Sequence, residues 1–300
     1  MRNFLIGMHG RYQKEKYERD FMRGYYGIEA CLFPDEDELK LLLEAAEKDD
    51  FKIGIHFPLL KKQYIYRDPL FMSLDKSISK EAYESFEKGV KHARDIGAEY
   101  ILTHFPKPFV MDRNLNWSDW RCMEHERVYK EEYPLSIFNE KLAEMFDRLS
   151  EMSQKYDMQI VLEHDAMVKS MYTTDILEYM FSKYSNLKIC LDTGRLHLFN
   201  KVDPEFNVTD FVTTMSKYTY LMHLWNEKAG CNSQRGHYPC LPELKPSEGW
   251  ADIEGILKAA AGINKNILYK FEHDSTLISD KQLQQCYSWI DVIVNKASAK

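Results

Sequence analysis

The sequence predicts a single (β/α)8 barrel spanning residues 1–300. Three observations lead there. Short β-rich runs, most of them continuously apolar, recur along the chain, as expected of parallel strands covered on both faces. Helical patterns lie between them, and strand–helix alternation implies right-handed parallel units. Run after run then ends in His, Asp or Glu.

The strand patterns are 4–8, 27–33, 52–57, 100–105, 159–163, 188–191, 220–224 and 267–271. Eight of them suggest closure. An open doubly wound sheet is the alternative, but no Gly-rich phosphate loop follows the first run. Helices are expected over 35–48, 80–96, 136–156, 174–184, 208–217, 253–261 and 280–295. Leu39, Leu42, Leu43 and Ala46 fall at helical spacing in the first of these. Leu142, Met145, Phe146 and Leu149 form the stripe of the third. Ser79 and Gly97 read as the cap and stop of the second. The link between the first two strands is short and poorly marked.

The segment 107–133 interrupts this rhythm with Trp117, Trp120, Tyr129 and Tyr133 among many charges. A second long loop runs from Asn226 to Gly249. Loops of this length inside a compact domain are often lids, and the alternative is an insertion that packs outside or contacts another copy. As a lid, 107–133 would lean over the pocket and offer Trp117 or Trp120 as an aromatic wall for a substrate.

The chain has 300 residues, is 44% hydrophobic and carries a net charge of −7. The acidic balance argues against a nucleic-acid partner, which needs Lys and Arg on the phosphates. No stretch is apolar enough to span a bilayer. Residues 1–7 run straight into a strand pattern without the features of a signal peptide. The expectation is a cytoplasmic protein acting on a small molecule, with homo-oligomerisation left open. None of the six cysteines forms a CxxC pair, so reduced thiols are expected, Cys231 and Cys240 being the one plausible pair.

The strand ends carry the chemistry. They read Ile55-His56-Phe57, Thr103-His104-Phe105, Glu163-His164-Asp165, Asp192-Thr193-Gly194-Arg195, His223-Leu224-Trp225-Asn226 and Glu272-His273-Asp274. In such a barrel the C-terminal strand ends form the active site, so these residues converge. Carboxylates gathered alone would repel one another. Imidazoles and a divalent cation turn that cost into coordination, and a mixed Asp, Glu and His set suits Mn, Zn, Co or Fe.

This series of strand ends resembles the xylose isomerase-like TIM-barrel superfamily, which contains sugar isomerases and epimerases and the endonuclease IV type of AP endonucleases. The resemblance runs from the first strand to Glu272. It implies one metal ion held by Glu163, Asp192, His223 and Glu272. It implies further that Glu163 and Glu272 remove and return the α-proton of a small sugar through an enediolate. In the endonucleases, extra histidines hold additional zinc ions, and the matching positions are His56, His104 and His237. These three are candidates for substrate binding or a second ion. Two positions depart from that larger cluster. Arg195 stands where the family has the His of Asp-x-x-His, and Arg235 stands where the endonucleases have an Asp. Arginine does not bind a cation, but it suits carboxylates and phosphates. Both arginines are therefore candidates for holding an anionic sugar, such as a sugar phosphate or sugar acid. The alternative function is a metal-dependent phosphoesterase related to the AP endonucleases.

Overall fold

A computed structural model describes residues 3–228 and 236–298. Eight parallel strands close into a barrel: β1 (Phe4–His9), β2 (Gly27–Cys31), β3 (Lys52–His56), β4 (Tyr100–Phe105), β5 (Gln159–His164), β6 (Leu187–Asp192), β7 (Thr219–Leu224) and β8 (Leu268–Phe271). β1 pairs with both β2 and β8, which excludes the open sheet.

Around them lie helices α1 (Lys14–Asp20), α2 (Glu36–Asp49), α3 (Lys76–Asp95), α4 (Leu135–Tyr156), α5 (Ser170–Thr173), α6 (Ile176–Lys183), α7 (Thr193–Val202), α8 (Val208–Met215), α9 (Ile253–Ile263) and α10 (Asp280–Ser298). The main core fills the layer between barrel and helices, with Phe86, Leu142, Phe146, Leu257 and Ile290 fully buried. Among the described residues, no helix is long and apolar enough to cross a membrane.

Three helix assignments differ from the sequence reading. α3 starts at Lys76 because the Asp75 carboxylate accepts from Ser77 N and Ile78 N; Ser79 instead turns inward and donates to Phe71 O at 2.7 Å. α1 is short, highly charged and has no side-chain cap, so little in its sequence marks it. α7 begins immediately after β6, with Asp192 as its N-cap.

Inside the barrel, strand alternation stacks side chains in levels. Leu5, Tyr100, Leu102, Val161, Cys190, Leu221 and Leu268 form a separate apolar plug. Above it Glu29 of β2 meets Lys270 of β8 and accepts from Tyr100 Oη at 2.8 Å. Two glycines make room for this level. A Cβ at Gly54 would overlap the Tyr100 ring, and one at Gly7 would press on Lys270 Cε at 3.0 Å. The next level up holds the strand-end histidines and acids. His104 is in register with Glu163, and Asp192 with His223.

The 107–133 segment is ordered by its own packing. Phe109–Met111 and Arg127–Tyr129 pair as a short ribbon. Trp117 stacks on Phe109, with ring centroids 5.9 Å apart, and the buried Trp120 meets Phe199 of α7 edge-on at 5.9 Å. Neither indole lines the large cavity at the barrel mouth. In place of the expected wall of that cavity, Trp120 is buried against α7 and Trp117 is partly buried beside it.

Candidate metal centre

Glu163, Asp192, His223 and Glu272 each offer one donor atom, and these atoms all lie within 4.8 Å of one another. The set comes from four consecutive strands, β5 to β8, and is buried except for the partly accessible Glu272. His223 Nδ1 lies 3.2 Å from Glu163 Oε2 and 2.9 Å from Glu272 Oε2, and Asp192 Oδ2 is 4.0 Å away.

Several of these atoms sit close without being aligned as hydrogen bonds. His223 Nδ1, Glu163 Oε2 and His56 Nε2 are buried and have no hydrogen-bond partner. Such groups are costly unless something satisfies them. Burial and the charges of Glu163 and Glu272 also push the Asp192 carboxyl up to about 7. A divalent cation would satisfy the aimed lone pairs and relieve the crowding of carboxylates. The donor set fits Zn, Mn, Co or Fe equally.

The remaining oxygen of each glutamate is pinned by a cation of the protein. Glu163 Oε1 takes Arg195 Nε at 3.2 Å, and Glu272 Oε1 takes Lys270 Nζ at 2.9 Å. Each carboxylate therefore keeps Oε2 toward the common centre. Asp192 is fixed by Arg195 N on Oδ1 at 2.8 Å and by Trp225 Nε1 on Oδ2 at 2.7 Å. Gly194 is required here, because a Cβ would overlap the Trp225 ring.

His56 and His104 join the same pocket. Their Nε2 atoms lie 3.4 and 3.3 Å from Glu163 Oε2, and the trio is a second potential metal group. His104 is turned by Asp68, whose Oδ1 sits 2.7 Å from Nδ1. Asp68, His104 and Asp165 make a further group, but protein cations already stand in it. Buried Lys107 places Nζ 2.8 Å from Asp165, 3.2 Å from Asp68 and 3.4 Å from Glu126. Against the burial that would lower it, these acids hold the Lys107 pKa above its ordinary value.

Arg195 is the clearest departure from the sequence reading. Besides Glu163, its guanidinium reaches Asp165 at 3.1 Å and His104 Nε2 at 3.1 Å. Its fork is taken up by the protein's own acids rather than held open for an anion. His237 stands at the rim, stacked on Trp225 with centroids 4.2 Å apart, and belongs to none of the donor groups. Arg235 and Cys231 lie outside the described residues; the other cysteines are free.

Sequence reading passed over Glu29, Asp68, Lys107 and Lys270. For Glu29 and Lys270 a signal existed. A charge inside an otherwise apolar parallel strand must find a buried partner, and these two are opposite in sign.

No protein-family model matches the chain, and no curated protein matches it. Solved structures do. A D-tagatose 3-epimerase-like protein aligns at a TM-score of 0.67 with 15% identity, covering 98% of each chain. The IolI protein with a bound zinc atom aligns at 0.61 with 14% identity, covering 98% of this chain and 99% of that one. A xylose isomerase domain protein from Planctomyces limnophilus aligns at 0.61 with 11% identity, covering 99% and 98%. At these identities the likeness is one of fold, and the chain has the (β/α)8 barrel fold of these structures.

Proposed function

We propose that this chain is a divalent-metal-dependent isomerase or epimerase of a small sugar. The observation that carries the reading is the convergence of Glu163, Asp192, His223 and Glu272 at one point of the barrel mouth. The D-tagatose 3-epimerase-like neighbour and the zinc in the IolI structure support it.

These four residues would hold the ion. Bound there, it would polarise adjacent oxygens of an α-hydroxy carbonyl and lower the barrier to α-proton loss. The glutamates supply the proton transfer. Glu272 lines the open cavity, whereas Glu163 is buried at the centre. One takes the proton and the other returns it, giving an enediolate between the two steps. Arg195 and Lys270 keep each carboxylate from turning away, so that Oε2 of each stays aimed at the centre. His56, which lines the cavity, would bind a substrate oxygen, and His104 would support it from behind.

The phosphoesterase reading draws on His56 and His104 as ligands of a second ion. Lys107 and Arg195 oppose it, because they fill the adjoining acidic space with fixed positive charge. The test is deuterium incorporation at the α-carbon of candidate ketoses and their phosphates in heavy water, with metal present. Exchange on at least one sugar is expected. Cleavage of a phosphate ester without exchange on any sugar would replace this reading with the hydrolase.

A further inference from the structure

The cavity beside the centre has a volume of about 870 Å³. That is near the upper end for small-molecule sites and leaves room beyond a bare sugar at Glu272. It opens between the ends of β1, β2 and β8, and Gly7, Glu29, Cys31, His56 and Glu272 line its depth.

The cations around this mouth differ in one respect. Lys270 is neutralised by Glu29 and Glu272, and Arg195 by Glu163 and Asp165. Arg19 is paired with Asp280, and Lys16 with Asp20. Arg67 and Arg11 line the same cavity, yet among the described residues no carboxylate makes an ion pair with either. Arg67 comes from the loop after β3 and Arg11 from the loop after β1. Arg67 feels the charge of Asp68 most, then those of Arg195 and Glu272 at the centre, but is in ion-pair contact with none of them.

An arginine held in no ion pair can meet an anion without giving one up. Arg195 would have to release Glu163 and Asp165 to do the same. We propose that Arg67, assisted by Arg11, binds a terminal phosphate or carboxylate of the substrate, which makes the substrate class an anionic sugar. The inference rests on the sugar isomerase reading and moves the anion-binding role from Arg195 to Arg67 and Arg11. Guanidinium forks match either oxyanion, so the two sources of charge need separate probes.

The experiment is calorimetric binding to the metal-saturated protein of three probes: sorbitol, sorbitol 6-phosphate and gluconate. At least one anionic probe should bind about 10–100-fold more tightly than sorbitol, the range of one charge-assisted hydrogen bond. Arg67→Gln should remove most of that preference and leave sorbitol binding unchanged. Arg11→Gln should remove a smaller part. The phosphate and gluconate arms then tell a sugar phosphate from a sugar acid. The proposal is overturned if neither anionic probe outbinds sorbitol, or if the preference survives intact in the Arg67→Gln, Arg11→Gln double variant. These outcomes are independent of proton exchange. A chain that exchanges no α-proton yet keeps an Arg67-dependent preference would lose the isomerase reading and retain the anion site.

Discussion

Glutamine at position 163 or 272 will lower α-proton exchange by about 10²–10⁴-fold, the usual cost of losing a general base. Each substitution keeps the side-chain shape but removes the basic oxygen that faces the centre. Each also weakens one bond to the ion, so the assay must be run at saturating metal. The loss should persist there, because restored metal does not restore the base. Asp192→Asn provides the contrast. Its side chain is held by Arg195 N and Trp225 Nε1 and has no acid–base role in this account. Its activity should therefore recover in large part as metal is added. Exchange within tenfold of wild type in either glutamine variant would remove the two-glutamate mechanism.

Lys107→Ala will be among the most destabilising single changes outside the apolar core. The ammonium is buried among Asp68, Glu126 and Asp165. Removing one partner of a buried ion cluster strands charge in the interior and costs about 3–5 kcal/mol. For a chain of this size that corresponds to a fall in Tm of about 5–8 °C. Lys14→Ala is the control. Its contact with Glu18 is 3.6 Å long, with side chains 72% and 63% exposed, and such pairs contribute about 0–1 kcal/mol. Thermal unfolding of the two variants beside wild type measures the difference. Equal shifts would mean that the Lys107 cluster does not stabilise the loops it joins.

The barrel was legible because each strand is an apolar run ended by a polar residue. That pattern brought the strand-end acids and histidines to one mouth, and the family resemblance singled out Glu163, Asp192, His223 and Glu272 among them. What the pattern could not show is how the charges at that mouth pair. Arg195 looks like a free fork in the sequence, and only the fold brings Asp165 and Glu163 to it. Lys107 and Asp68 come from separate loops whose paths no local periodicity encodes. The Trp117 and Trp120 rings illustrate the same gap. An aromatic pair in a long insertion fits a lid or a packing surface equally, and Phe199 of α7 decides between them. α7 itself was hidden because Asp192-Thr193-Gly194-Arg195 reads as a strand end, while the Asp192 carboxylate also caps the helix that follows.

The most direct test of the central claim is to count and locate the bound ion. The protein, stripped of metal, should take up one equivalent of Mn, Zn, Co or Fe per chain, measured by elemental analysis after gel filtration. Anomalous scattering from crystals should place that ion among Glu163, Asp192, His223 and Glu272, with ligand distances of about 2.0–2.3 Å. Uptake of two or three equivalents, an ion seated at Asp68, His104 and Asp165 instead, or no uptake at all would contradict the account.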